Sequence, residues 1–246
     1  MADFKQMNQR KKNALDNSKL RLSAPSPVAQ GKWASLSVIF DKNNPRFVVY
    51  TGEEGDRANN YGKIEARLDT AVFYAFLELV KNIAHKDTPN GHKDKLDNEN
   101  FTWFGGKRSD GPVSVSELQV GKDKDTGEVW MAVVAKDRPR VQFKFGPPPM
   151  HKNWTHGNGE AFSAGELSQI FARGYVNLME KIVAHLSVTE WVDPAIERAE
   201  KEAQKARGGQ GGGGGYNRGG GGSGGGQRQE QQQSSGGDDF DGDIPF

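Results

Sequence analysis

The segment Asp238-Asp239-Phe240-Asp241-Gly242-Asp243-Ile244-Pro245-Phe246 sets four carboxylates among three large apolar side chains. It is too short and too charged to build a core. Read as the C-terminus, it offers a partner an aromatic side chain and a free α-carboxylate at Phe246, with Asp238, Asp239, Asp241 and Asp243 alongside. An apolar pocket rimmed by Lys and Arg would capture all three features together. Pro245 stiffens the approach and lowers the ordering cost. Phe240, Ile244 and Phe246 have no place in a tail that serves only solubility. The chemistry expected here is recognition of another protein.

A second pattern runs through the strand-forming region, where aromatic and basic residues interleave: Trp33, Tyr50, Tyr61, Lys63, Arg67, Trp103, Lys107, Arg108, Lys136, Arg138, Arg140 and Lys144. Aromatic faces stack on unpaired bases and cations contact phosphates, so this set suits a single strand of nucleic acid. Trp103 followed by Gly105-Gly106-Lys107-Arg108 is the densest group, and Trp154 with Lys152 and His151 forms another on a loop. Trp130 lies in the apolar run VWMAVV and is assigned to the core. Lys63, Arg67, Arg140 and Lys144 fall on outward faces by alternation, as charges do on any solvated sheet.

Catalytic patterns are missing. Gly105–Ser109 (GGKRS) lacks the upstream glycine spacing of a phosphate-binding loop. His151 and His156 stand five apart with neither Cys nor an H-E-x-x-H pattern, so no metal site is expected. With no Cys there is no disulfide framework either. Neither enzyme activity nor a cofactor is expected. The N-terminal residues hold no apolar run long enough for a signal peptide or a membrane span.

The elements that must position these residues follow from periodicity. Leu36–Phe40, Arg46–Thr51 and Gly62–Leu68 read as strands, with a turn at Asp41–Pro45. Val72, Phe73, Phe76, Leu79, Val80 and Ile83 form the apolar stripe of a helix over 70–86, capped by Asp69 or Thr70. Residues 86–99 read as a polar loop. Phe101–Phe104, Val113–Val120, Glu128–Lys136 and Arg140–Phe145 read as further strands, stopped by Gly146-Pro147-Pro148-Pro149. A second long helix over 163–187 opens with the capping box Ser163/Glu166. Two strand-rich halves, each followed by a helix, give an α+β fold. The helices align at constant offset: Phe76, Leu77, Leu79, Val80 and Ile83 match Tyr175, Val176, Leu178, Met179 and Ile182.

Five segments result: a flexible basic arm over 1–32, a core over 33–192, a charged helix over 193–207, a Gly/Gln-rich disordered linker over 208–237 and the acidic tip over 238–246. Residues 208–246 hold two arginines against five acidic residues, a net charge of −3, which leaves +4 on residues 1–207. A mildly basic body with an acidic end suits a core that binds a polyanion and a tail that does something else. Roughly thirty linker residues give a mean reach of about 30 Å. Arg207-Gly208-Gly209 and Arg218-Gly219-Gly220 resemble RGG boxes, with Tyr216 between them, but plain linker is the simpler role.

The tip closely resembles that of bacterial single-stranded DNA-binding proteins, which end in Asp-rich sequence followed by Ile-Pro-Phe; Gly242 departs from it by replacing an acidic residue. In pattern, residues 33–187 and above all GKIEARLDTAVFYAFLELV resemble the purine-rich-element-binding (PUR) and Whirly families. Those families are built from duplicated strand–strand–strand–strand–helix units that bind single strands on their sheets. An elaborated OB-fold barrel is the alternative. The resemblances imply a sequence-independent single-stranded DNA-binding protein of replication, recombination or repair that recruits enzymes through its tip. No membrane partner is implied, and a homo-oligomer is left open. A bacterial-type tip on an unlike core is expected of a bacteriophage protein acting in its host's cytoplasm. A Gly-rich RNA-binding protein or RNA chaperone and a strand-annealing recombination protein are the rivals.

Overall fold

The β2–β3 hairpin shows how local sequence sets this fold. Strands β2 (Ser35–Asp41) and β3 (Asn44–Tyr50) are joined by Lys42 and Asn43, both with positive φ (50° and 64°). That is the twist a two-residue hairpin turn needs, and Asn tolerates it well. Asn43 also fastens the turn to a distant segment: its side chain donates to the Val192 carbonyl (2.6 Å) and accepts from the Val192 N–H (2.9 Å). The computed structural model describes residues 12–25, 33–53, 55–58, 62–104, 107–196, 198–199 and 202–203. Linker and tip lie outside the described residues, as do Tyr61 and residues 1–11 and 26–32 of the expected arm.

The chain divides into two compact units. The larger, Met1–Phe101 with Gly111–Val192, holds two antiparallel four-stranded sheets and two helices, an α+β architecture. The first sheet runs in sequence order from β1 (Leu22–Ser23) through β2 and β3 to β4 (Lys63–Arg67), followed by α1 (Thr70–Ile83). The second sheet contains β5 (Lys93–Asn100), β8 (Val113–Lys122), β9 (Val129–Val134) and β10 (Phe143–Lys144), in sequence order apart from two short strands inserted between β5 and β8, followed by α2 (Ala164–Thr189). Four strands then a helix thus occur twice. Each sheet is an open meander, not the five-stranded barrel of the alternative reading. The smaller unit, Thr102–Asp110 with Asp193–Phe246, contains the hairpin β6 (Trp103–Phe104) and β7 (Lys107–Arg108) and helical residues at 194–196, 198–199 and 202–203.

Two expectations change. Residues 86–99 are not all loop: Lys93–Asn100 pairs with β8 along its length. Its sequence, KDKLDNEN, is polar because it is an edge strand with little buried surface, and charged edges resist pairing with other chains. The arm is also partly built in. Residues 22–23 supply β1, the missing fourth strand of the first half, and Leu15 and Ala24 are buried.

The inner face of the first sheet (Leu36, Val38, Phe47, Val49, Ile64 and Ala66) and that of the second (Leu118, Val120, Met131, Val133 and Phe143) belong to one buried cluster with both helices. Phe47 packs on Phe73 and Phe76 of α1, with centroids 5.2 and 5.5 Å apart. Phe145, just past β10, packs on Tyr175 of α2 at 5.5 Å. The Ser163/Glu166 capping box opens α2 as its sequence pattern predicts, whereas Asp69 occupies the α1 cap position without a side-chain bond. Gly165 is required where α2 meets the β8–β9 loop, because a Cβ there would come within 2.7 Å of the Thr126 carbonyl. The buried Lys122 donates to the His85 and Thr88 carbonyls (3.0 and 2.7 Å) and so closes the turns after α1; burial lowers its ammonium pKa.

Candidate nucleic-acid interface

Strand alternation gives the first sheet a second face, on which Tyr50 and Arg67 are exposed and Val48 is fully buried, and the register defines three rows across it. Ser35, Tyr50 and Lys63 are direct neighbours, then Ser37, Val48 and Glu65, then Ile39, Arg46 and Arg67. Trp33 precedes β2 with the parity of Ser35, and Ala34 between them is fully buried. Trp33 is 53% exposed and Tyr50 44%. Four of the residues singled out in the sequence, Trp33, Tyr50, Lys63 and Arg67, therefore share one face. Glu65 organises its cations: Lys63 Nζ lies 2.5 Å and Arg46 3.7 Å from its carboxylate, and Arg46 also pairs with Asp41. Tyr50 occupies the row beside the 51–62 connection and Trp33 lies two residues before Ser35 of that row, away from the Arg46–Asp41 pair.

A second group lies on the outer face of the other sheet. Trp130 and Lys144 are cross-strand neighbours, and the Arg140 guanidinium sits 5.5 Å from the Trp130 ring. Trp130 is buried as the sequence suggests, yet it lies outside the main core. Its indole lies across Gly121, its partner on β8, where a Cβ would come within 2.5 Å of the ring. Arg140 and Lys144 serve to cover and frame this indole, and Lys144 also pairs with Glu128. Stacking on Trp130 itself would need these covers to move.

Arg138 has a different environment from the one its turn position implies. Its guanidinium binds the Asp56 carboxylate through Nε and through a terminal nitrogen (2.7 Å), and donates to the Lys63 carbonyl at 3.3 Å. Asp56 also accepts from the Thr51 hydroxyl at 2.5 Å and is almost wholly buried. The pair ties the β3–β4 connection of the first half to the β9–β10 turn of the second. Sequence reasoning missed Asp56 because its partner lies 82 residues away. Lys136 is exposed on the same turn, beside Asp137 with φ of 56°.

In the smaller unit, β6–β7 pairing sets Trp103 opposite Arg108 and Phe104 opposite Lys107. Lys107 and Arg108 are exposed, and Lys107 lies 3.8 Å from Asp110. Tyr61 and all the tip residues, Asp238 to Phe246, lie outside the described residues. Among the described residues no cluster of three metal-ligating side chains occurs, and no helix is long and apolar enough to cross a membrane.

No protein-family model, curated protein or solved structure matches this chain.

Proposed function

We propose that this protein binds single-stranded DNA without strong sequence preference, on the outer face of the first sheet, and recruits partner enzymes through its acidic tip. The observation that carries the reading is the register that puts Tyr50, Lys63 and Arg67 on one face, with Trp33 joining them by strand parity. Stacking aromatics beside cations is the chemistry by which unpaired strands are held irrespective of sequence. The doubled four-strand-and-helix order supports a PUR- or Whirly-like reading of the core. The resemblance of residues 238–246 to bacterial single-stranded DNA-binding proteins supports recruitment in replication, recombination or repair, and with it a phage protein in a bacterial host's cytoplasm. In this reading the protein protects and presents a strand and performs no reaction.

The test is titration of the full chain into labelled oligo-dT, an RNA of equal length and a DNA duplex, at several salt concentrations. The expected result is tightest binding to oligo-dT, weakening steeply with salt, together with quenching of tryptophan fluorescence. Tighter binding to RNA would favour an RNA chaperone, and absence of binding to any strand would overturn the reading. Recruitment is tested with a peptide of residues 236–246 against a purified receptor for bacterial tips. Phe246→Ala should weaken its binding about tenfold to a hundredfold, from the roughly 2–3 kcal/mol of burying an aromatic side chain. Equal binding of both peptides would reduce the tip to an acidic tail.

A further inference from the structure

The connection from β10 to α2 holds an ordered feature that the first sheet's face does not use. Residues 154–162 form a small hairpin. Thr155 pairs with Ala161, the Phe162 N–H donates to the Trp154 carbonyl (3.0 Å), the His156 N–H donates to the Glu160 carbonyl (2.8 Å), and Gly159 takes the turn with φ of 86°. Three rings on it and one on α2 form a chain of contacts. His156 stacks on Phe162 with centroids 3.7 Å apart, Phe162 meets Trp154 edge to face at 6.5 Å, and Trp154 meets Phe171 of α2 at 5.7 Å. Phe171 is packed against the main core. The Trp154 indole N–H donates to the His151 carbonyl at 2.6 Å. Fixed from three directions, the indole still keeps 41% of its surface exposed.

The charges around it are sorted in a way that favours an anion. Glu160 is engaged by the Asn158 amide, and Glu166 by Ser163 and, at 3.7 Å, by His156. Lys152, two residues before Trp154, is exposed and has no ion-pair partner among the described residues. His151 and Asn153, exposed beside it, add further polar groups. A held aromatic ring two residues along the chain from an ammonium without an ion-pair partner among the described residues offers the chemistry for one base and one phosphate, and an indole already fixed in place loses little freedom on stacking.

We propose that the Trp154 hairpin is a second nucleobase-stacking site, at which a base of a bound single strand stacks on Trp154 while Lys152 contacts its phosphate. This inference rests on the single-strand reading above and adds a contact on the second half of the fold. It is tested in the full chain with Trp154→Ala and Lys152→Gln, each checked for an unchanged thermal transition, and by photocrosslinking of oligo-dT carrying 5-iododeoxyuridine. Loss of one stacked base should weaken oligo-dT binding by about fivefold to a hundredfold in the Trp154 variant. The Lys152 variant, which leaves the hairpin's packing intact, should flatten the salt dependence by about 0.7 in log–log slope, the share of one phosphate contact. The crosslink should map to the 150–156 segment. If the wild type binds oligo-dT, both variants bind it equally well and the crosslink maps elsewhere, the inference fails while the single-strand reading stands. If Trp154→Ala disturbs self-association and leaves oligo-dT affinity unchanged, the hairpin is a protein contact and the inference fails. If the wild type binds no strand, both readings fall.

Discussion

Lys81 and Glu180 occupy matching positions in the two helices and bind each other. The Lys81 ammonium donates to both carboxylate oxygens of Glu180, at 2.6 and 2.8 Å, across 99 residues of chain. The same interval separates Phe76 from Tyr175, Val80 from Met179 and Ile83 from Ile182. Phe76 and Tyr175 each pack on a phenylalanine of their own half, Phe47 and Phe145, with centroids 5.5 Å apart in both cases. Contact between equivalent positions is what a local twofold relation between helices produces. Sequence offset, strand order and this contact are thus shared features of the two halves, whose helices meet at the Lys81–Glu180 pair.

The pair is partly exposed, so its contribution is modest. Glu180, followed by Glu78, raises the Lys81 pKa. K81E places like charges together beside Glu78 and should lower stability by about 1 kcal/mol in urea unfolding. Adding E180K should recover most of that loss. A double variant as unstable as the sum of the two single ones would show that the helices do not depend on this contact.

Tyr175 offers a test of opposite sign. Its hydroxyl is buried without a hydrogen-bond partner among the described residues, and burial pushes its pKa up. A buried donor left unsatisfied costs the desolvation of that group. Tyr175→Phe keeps the ring against Phe145 and removes the hydroxyl, so stability should rise by about 1 kcal/mol. A fall in the thermal midpoint would mean that the hydroxyl has a partner after all.

How far the sequence was legible can be seen element by element. Helices α1 and α2 were readable because their apolar stripes recur at helical spacing, β2 and β3 because they are rich in β-branched and aromatic residues, and β4 because apolar and charged residues alternate in it. Lys93–Asn100 was not readable, since an edge strand that buries almost nothing leaves no apolar period. Leu22–Ser23 is too short to carry one. Alternation also placed Lys63 and Arg67 outward, but it could not put them on the face of Tyr50, nor reveal Asp56 beneath Arg138 or the Gly121 recess under Trp130. Those are contacts between distant segments, and no local pattern encodes them. The Trp154 cluster was visible as composition, while its rigidity became apparent only with the hairpin and Phe171.

The β8–β9 loop should respond to acid. The Asp123 carboxylate accepts from the Thr126 N–H (2.9 Å), the Thr126 hydroxyl (3.0 Å) and the Asp125 N–H (3.0 Å). The Thr126 backbone N–H is the leading cause of its lowered pKa. A carboxylate whose pKa is lower in the folded state stabilises fully above its unfolded value of about 3.9 and loses that contribution as pH falls through the folded value. Asp123→Asn should therefore destabilise the protein at neutral pH, and its deficit should shrink as pH falls below about 4. A deficit of constant size from pH 7 down to pH 2 would remove Asp123 from the acid response.

Arg138 and Tyr50 separate structural from binding roles within one set of residues. Arg138 is an attractive phosphate contact by type and turn position, yet its guanidinium is committed to a buried carboxylate. Removing one partner of such a pair strands the other charge, at about 3–5 kcal/mol. Arg138→Ala should accordingly lower the unfolding midpoint sharply, and its losses of oligo-dT binding should track the fraction unfolded. Tyr50 stands beside Lys63 with 44% of its surface exposed and outside the buried core. Tyr50→Ala should leave the unfolding curve within about 0.5 kcal/mol of wild type, while weakening oligo-dT binding by roughly 1–3 kcal/mol, the value of one stacked base. Trp33→Ala should behave like Tyr50→Ala, and the two together should cost more than either alone. If Tyr50→Ala and Trp33→Ala bind oligo-dT as tightly as wild type, the strand does not cross this face, and the binding surface must be sought on the Trp154 hairpin or in the smaller unit with Lys107 and Arg108.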